Sequence, residues 1–157
     1  MKLSTQEEYG LRCLLQLGRH GDGASLTISE LSEREGISAP NVAKIMRVLR
    51  RAGLVTSTRG QAGGYVLSRP AQDVSVGEIL AALGGRFFDA SFCDRHSGVE
   101  SQCMNESDCS IRPVLRRLQD VVDEVLGALT LKSLLRNERD IGASWVNPNA
   151  VRLPMSP

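Results

Sequence analysis

The chain has 157 residues, 41% of them hydrophobic but only 4% aromatic, so its core must be built mostly from Leu, Val, Ile and Ala, which favours packed helices over a β-sandwich. The formal net charge is only +1, and no apolar run is long enough to cross a bilayer. We therefore expect a mainly helical, cytoplasmic protein without membrane contact, whose four cysteines are metal ligands, reactive thiols or core residues rather than disulfides.

Three helices are predicted at the start of the chain. A capping box at Ser4 precedes apolar residues at helical spacing, which predicts a first helix from about residue 5 to 19. A second capping box at Thr27 begins a short helix that Gly36 ends, and Ser38 with Pro40 in the first turn begins a third. Two helices joined by "EGIS" are typical of a helix-turn-helix, although a simple αα-hairpin would have similar residues at its turn.

A β-hairpin is predicted directly after the third helix. The strand-like runs "LVTSTR" and "YVLSR" are separated by "GQAGG", whose glycines tolerate the positive φ angles of a tight turn. The order of two helices and a hairpin predicts a winged helix-turn-helix, with a purely connecting β-turn as the alternative. A nucleotide-binding loop is excluded because the glycines lack the Lys and Ser/Thr of a P-loop.

The segment of residues 36–72 is locally basic, with six Lys or Arg residues and no Asp or Glu. This asymmetry favours contact with phosphates, while a solvated cationic face is the alternative. We expect Asn41 to read a base in the major groove, Lys44 and Arg47 to contact phosphates, and Arg59 to enter the minor groove. The other candidates for contact with double-stranded DNA, at the helix start and the hairpin tip, are Ser38, Pro40, Gly60, Gly63 and Gly64.

The remaining helices divide the chain further. A third capping box at Ser75 begins a helix that closes a DNA-binding domain over residues 1–85. Apolar residues at three- and four-residue intervals predict a long helix over residues 111–136, whose stripe is too long for one small domain to cover. Pairing with a second subunit would bury it and suit a palindromic operator, whereas packing back on its own domain is the alternative. Residues 137–157 predict a flexible tail.

Three cysteines share the predicted loop over residues 86–110. Cys93, Cys103 and Cys109 lie in a polar segment that cannot hide thiols in a core, which indicates a soft metal centre. Zinc bound with His96 as fourth ligand is possible, but the spacing lacks Cys-x-x-Cys pairs and therefore favours an iron-sulfur cluster; three free thiols are the remaining alternative. Cys13 lies among leucines on the first helix and is predicted to be a buried structural thiol.

From residue 1 to about 136 the chain resembles the bacterial iron-sulfur winged helix-turn-helix transcription regulators, the IscR, NsrR and RirA-like family. The resemblance rests on "MKLSTQEEYGLR", "SEREGIS", "RGQAGGYVLSRP", "VSVGEILAAL", the three-cysteine loop and "LTLKSLL". It implies a homodimeric, sequence-specific DNA-binding regulator, not an enzyme, in which Cys93, Cys103 and Cys109 hold a cluster that senses iron, redox state or nitric oxide. The alternative is a zinc-stabilised winged-helix protein without a sensing role.

The chain departs from part of the family at the fourth ligand. Some relatives place a histidine three residues after the last cysteine, where this chain has Arg112, whose guanidinium cannot ligate. Others use an acidic residue from the partner's first helix, and Glu8 stands at the matching position, although a first-turn acid also serves as a cap. His96 and Asp108 remain possible ligands. The absent histidine favours a [4Fe-4S] over a [2Fe-2S] cluster.

Overall fold

The computed structural model describes residues 3–21, 23–58, 63–89, 91–95, 103, 105 and 107–145. The protein is mainly helical with a two-stranded antiparallel hairpin, which confirms the predicted fold class. No helix in these ranges is long and apolar enough to cross a membrane. The elements are α1 (Thr5–His20), α2 (Ile28–Glu35), α3 (Ala39–Arg51), β1 (Val55–Thr58), β2 (Gly64–Leu67), α4 (Val76–Gly84), α5 (Phe92–Arg95), α6 (Ile111–Gly127), α7 (Leu131–Leu134) and α8 (Glu138–Trp145).

Reciprocal capping boxes begin four of these helices. The predicted boxes at Ser4, Thr27 and Ser75 are all confirmed, and Thr130 begins α7 in the same way. In each box the hydroxyl accepts from a backbone N–H one turn later, which satisfies a donor that the helix itself leaves unpaired. The backbone N–H of Ser75 in turn donates to Glu78 and holds the pKa of that carboxyl below its usual range.

The helix-turn-helix is formed by α2 and α3. Gly36 ends α2 in the left-handed region with φ 65°, and its N–H donates to the Ser32 carbonyl. Ser38 occupies the position before α3 but makes no side-chain capping hydrogen bond, so Pro40 in the first turn provides the local start signal. The apolar stripe of α3 is buried as predicted and consists of Val42, Ile45, Met46 and Leu49.

The hairpin is joined by a third extended segment that the sequence did not predict. Strands β1 and β2 pair from Val55↔Leu67 to Thr58↔Gly64. Leu26 then bridges the outer side of β2, where its N–H donates to the Tyr65 carbonyl at 3.0 Å and its carbonyl accepts from Tyr65 at 2.8 Å. A Cβ at Gly64 would lie 2.7 Å from the Leu26 carbonyl oxygen, so this approach requires glycine.

The core formed by α1 to α4 includes a residue from beyond α6. Leu131 is completely buried in the same cluster as Leu14, Leu31 and Met46. Its backbone N–H donates to the Val74 carbonyl at 2.8 Å, and a neighbouring bond joins the Val76 N–H to the Leu129 carbonyl at 2.8 Å. The C-terminal segment therefore completes the core that the sequence placed within residues 1–85.

The long helix is shorter than predicted. Helix α6 ends at Gly127, and Thr130 begins the separate helix α7, so the helix predicted over residues 111–136 is interrupted. The interruption has a physical reason, because Ser75 and Thr130 pair as an isolated β-bridge that draws the chain out of helical geometry. The sequence itself carries the break, since the three- and four-residue spacing ends at Leu129 and Leu131 follows after only two residues.

A further helix lies within the predicted tail. Residues 138–145 form α8, so this part of the predicted tail is helical. Asn137 accepts the Asp140 backbone N–H at 2.9 Å through its side chain, and Glu138 and Asp140 lie in the first turn, where acids suit the helix dipole. The rest of the predicted tail, from residue 146, lies outside the described residues.

Candidate DNA interface and cysteine segment

The outward face of α3 carries the predicted DNA-contacting side chains. Asn41, Lys44 and Arg47 are all exposed and recur every three residues, opposite the buried stripe. Ser38 and Pro40 are exposed at the start of the same helix. Lys44 forms no ion pair with any acid in the described part of the chain, and residues 36–72 contain no acid at all. We call α3 the recognition helix because this face presents amide and cationic donors without competing carboxylates.

The base of the hairpin is fixed to the end of the recognition helix. Gly53 reverses the chain with φ 72°, after which the Leu54 N–H donates to the Leu49 carbonyl at 3.0 Å and the Ser68 N–H donates to the Leu54 carbonyl at 3.1 Å. The hairpin therefore follows α3 at a defined angle, as a wing must.

Two of the predicted wing residues have a described position and two do not. Gly63 and Gly64 are half-buried at the start of the returning strand, where the Gly64 N–H donates to the Thr58 hydroxyl at 3.0 Å. The close approach of Gly64 to Leu26 gives this glycine a packing role. Arg59 and Gly60 lie outside the described residues, so their predicted contacts with DNA stay predictions.

An ion pair that sequence reasoning missed joins α1 to the last turn of α2. Arg12 donates through Nε to Glu35 Oε2 at 2.7 Å and through Nη2 to the Glu35 carbonyl at 2.6 Å, and Gln16 donates to Oε1 of the same carboxylate. Hydrogen bonding to Glu35 raises the pKa of the Arg12 guanidinium. Because the Glu35 side chain is only 10% exposed, this pair fixes α1 against the turn that precedes the recognition helix.

Glu8 does not take part in the capping box of α1, although the sequence made this role possible. Glu7 closes the box with Ser4, while Glu8 is exposed and lies 3.5 Å from Arg12 Nη1 on its own helix. As a surface pair one turn apart, this contact contributes little to stability. The role of Glu8 as fourth ligand of a cluster held by the partner subunit stays a prediction.

The cysteines divide into one buried thiol and three half-buried ones. Cys13 is fully buried, and burial raises the pKa of its thiol to about 11, which fits the predicted structural role. Cys93 on α5, Cys103, and Cys109 ahead of α6 are half-buried and not disulfide-bonded. Three thiols in one segment are donors that suit a soft metal. Within the described residues, no three His, Cys, Asp or Glu side chains are close enough to share a metal ion, and His96 lies outside them.

A buried glutamine connects the segment before α5 to α6. Gln119 accepts the Phe88 backbone N–H at 2.8 Å and donates to Asp123 at 2.8 Å, while Asp123 also pairs with Arg86. The Phe88 ring lies 5.1 Å from the Phe92 ring, beside Cys93 in sequence. Movement of the cysteine segment is thereby resisted by side chains of α6.

Comparison with known proteins identifies the family. Residues 3–137 match the family model described as "Rrf2: Iron-dependent Transcriptional regulator". The chain is 34% identical to the protein rrf2 of Nitratidesulfovibrio vulgaris, with 87% of this chain and 89% of the relative covered. It is 29% identical to the HTH-type transcriptional regulator IscR of Escherichia coli, with 92% and 86% covered.

Solved structures have the same architecture. CymR, the global cysteine regulator of B. subtilis, is similar with a TM-score of 0.67 and 28% identity over 86% of this chain and 96% of that one. IscR of T. potens has a TM-score of 0.66 and 29% identity over 92% of this chain and 91% of its own. These relatives are regulators and not enzymes, as predicted. The chain therefore belongs to the Rrf2 family of iron-dependent transcriptional regulators, and it is a DNA-binding regulator of transcription.

Proposed function

We propose that this regulator binds its operator as a homodimer and that an iron-sulfur cluster held by Cys93, Cys103 and Cys109 controls its DNA affinity. The observation that carries the proposal is the position of three half-buried thiols between the winged domain and α6, in a chain whose family is described as iron-dependent. We favour a [4Fe-4S] over a [2Fe-2S] cluster, with Glu8 of a second copy as fourth ligand, because Arg112 replaces a possible histidine.

The DNA-reading roles follow from the recognition helix and the wing. Asn41 presents an amide that can bond an adenine edge, and Lys44 and Arg47, three and six residues further along the same face, present cations for phosphates. Ser38 and Pro40 bring the start of the helix to the groove. Arg59, which leads into the glycine-rich tip in the sequence, would enter the minor groove, where negative potential is focused, with Gly60, Gly63 and Gly64 allowing close backbone approach.

The signal would reach DNA through the elements that carry the thiols. When bound, the cluster supplies iron that responds to iron supply, oxidants or nitric oxide. Cys93 lies on α5 and Cys109 directly ahead of α6, so the separation of these thiols sets how α5 and α6 sit together. The cluster can change the free energy of DNA binding by no more than the amount by which it stabilises one arrangement of α5 and α6 over the other. A difference of about 1.4 kcal/mol corresponds to a tenfold change in DNA affinity.

The homodimer is supported by an uncovered apolar face on α6. Ile111, Val114 and Leu118 are 63%, 66% and 43% exposed, although their three- and four-residue spacing marks one helix face. A second copy that covers this face would remove it from water and would align two recognition helices with a palindrome.

The first test is an anaerobic ultraviolet-visible spectrum of freshly purified protein with iron, acid-labile sulfide and zinc analysis. We expect visible charge-transfer bands with matching iron and sulfide, and their loss in Cys103→Ala together with loss of the oxidant response of DNA binding. Cys13→Ala is the matched control and should keep its colour, because Cys13 lies in the core. A colourless, zinc-containing wild type, or a coloured and normally regulated Cys103→Ala, would refute the cluster.

The DNA-reading roles need a separate test on the coloured protein. Arg59→Ala and Lys44→Ala should each weaken binding to duplex DNA without loss of colour. Unchanged affinity in both variants would contradict the proposed interface.

A further inference from the structure

A cavity of about 220 Å³ lies between the first turns of α1 and the recognition helix. Asn41 and Lys44, two of the proposed DNA contacts, form one side, so the cavity adjoins the DNA-reading face. The opposite side comes from α1, to which the sequence assigned no DNA contact. The lining consists of Thr5, Gln6, Tyr9, Asn41, Lys44 and Ile45.

The lining of this cavity suits an oxyanion. It contains no carboxylate, while Lys44 contributes an ammonium that only donates, and Thr5 and Tyr9 contribute hydroxyls. Gln6 is held in place because its amide donates to the Leu83 carbonyl at 2.5 Å. Lys44 is exposed and makes no ion pair in the described part of the chain, so no protein acid competes for it.

We propose that this cavity receives a phosphate of the DNA backbone, and that Thr5 and Tyr9 of α1 bind it together with Lys44. The inference rests on the proposed DNA-binding function and extends the interface from the recognition helix and the wing to the first helix. A phosphate contact carries no sequence information, but it fixes the register of the protein on the duplex. Thr5 and Tyr9 would therefore add affinity on any sequence and hold α1 against the backbone while Asn41 meets a base.

The test introduces a negative charge at the cavity. Thr5→Asp should preserve the fold, because an acid in the first turn suits the helix dipole, but it should repel a phosphate. We expect about tenfold weaker binding, to a similar extent on a duplex selected in vitro by the wild type and on a duplex of random sequence. Asn137→Asp adds the same charge at the start of α8, can keep the cap there, and should leave both affinities within about twofold.

A double-mutant cycle then asks whether α1 and the recognition helix share one phosphate. Thr5→Val and Lys44→Ala should each weaken binding, and the double variant should lose less than the product of the two single effects. If Thr5→Asp matches Asn137→Asp, or if Thr5→Val and Lys44→Ala are independent, the cavity is not a phosphate site although DNA binding stands. If Lys44→Ala and Arg59→Ala both bind DNA like the wild type, then the proposed DNA interface is wrong, and the phosphate site is wrong as well.

Discussion

Arg12 shows how one side chain can support the helix-turn-helix by joining α1 to the end of α2. Its guanidinium meets the carboxylate and the backbone carbonyl of Glu35, so it stabilises both the acid and the open end of α2. A lysine at this position would lack the several N–H donors in one plane with which the guanidinium reaches both acceptors.

Removal of this guanidinium should be costly. In Arg12→Ala the largely buried Glu35 carboxylate keeps Gln16 as its one donor among the described residues, and we expect the free energy of unfolding to fall by about 2 kcal/mol. Urea denaturation measures the change. Arg19→Ala, at an exposed position of the same helix, is the control and should change stability by less than about 0.5 kcal/mol. Equal stability of the two variants would show that the pair has no net effect.

Cys13 makes stability depend on alkaline pH. Its pKa rises from 9.0 to about 11 on folding, so the thiol stays neutral in the folded protein while the unfolded chain loses the proton first. The contribution is fully present below pH 9 and is lost as the pH rises towards 11, by about 2 to 3 kcal/mol. Unfolding measured across this range in wild type and in Cys13→Ala should show a shallower fall in the variant. Parallel curves would contradict the assignment.

The wing depends on contact between β2 and the extended segment that precedes α2. Gly64→Ala would force a Cβ to within 2.7 Å of the Leu26 carbonyl oxygen, where backbone rather than a flexible side chain must move. We expect a loss of about 1 to 3 kcal/mol and faster hydrogen exchange at the Tyr65 amide, which bonds Leu26. Gly142→Ala, with nothing within 4 Å of the added carbon, should be neutral or stabilising. Native exchange at Tyr65 in Gly64→Ala would show that the wing tolerates the methyl group.

The Gln119 side chain links the segment that precedes Cys93 to α6, beside the ion pair of Arg86 with Asp123. Gln119→Leu removes the acceptor of the Phe88 N–H and the donor to Asp123, so exchange at the Phe88 amide should accelerate by about tenfold or more in protein without a cluster. Asp120→Asn, at the next and exposed position, provides the control. If both variants exchange alike, Gln119 does not hold this segment.

The uncovered apolar face of α6 predicts that the protein is a dimer. Val114→Asp places a charge in the centre of this face and should convert a dimer into a monomer in sedimentation analysis. The folded content by circular dichroism should not change, because Val114 is 66% exposed in the single chain. Arg116→Gln, an exposed position on the same helix, should remain dimeric. A dimeric Val114→Asp would place the interface elsewhere.

Features that depend on a few consecutive residues were predictable from the sequence. Features that depend on contacts between distant residues were not. The boxes at Ser4, Thr27 and Ser75 each occupy four residues, and the predicted helices begin there. The Arg12–Glu35 pair and the Leu26–Tyr65 bridge join residues whose proximity arises only after folding. The recognition helix was predictable because its buried and exposed positions alternate at helical spacing, whereas the placement of the three thiols depends on tertiary structure.

The burial of Leu131 has a consequence for how the protein is made. A growing chain leaves the ribosome from its N-terminus, and the DNA-reading half could begin to fold as soon as residue 84 emerges. Its core, however, closes only with Leu131, which follows the whole cysteine segment and α6. A chain that ends before Leu131 therefore lacks a finished core, and we expect such a fragment to be less stable than the full chain and to bind DNA poorly.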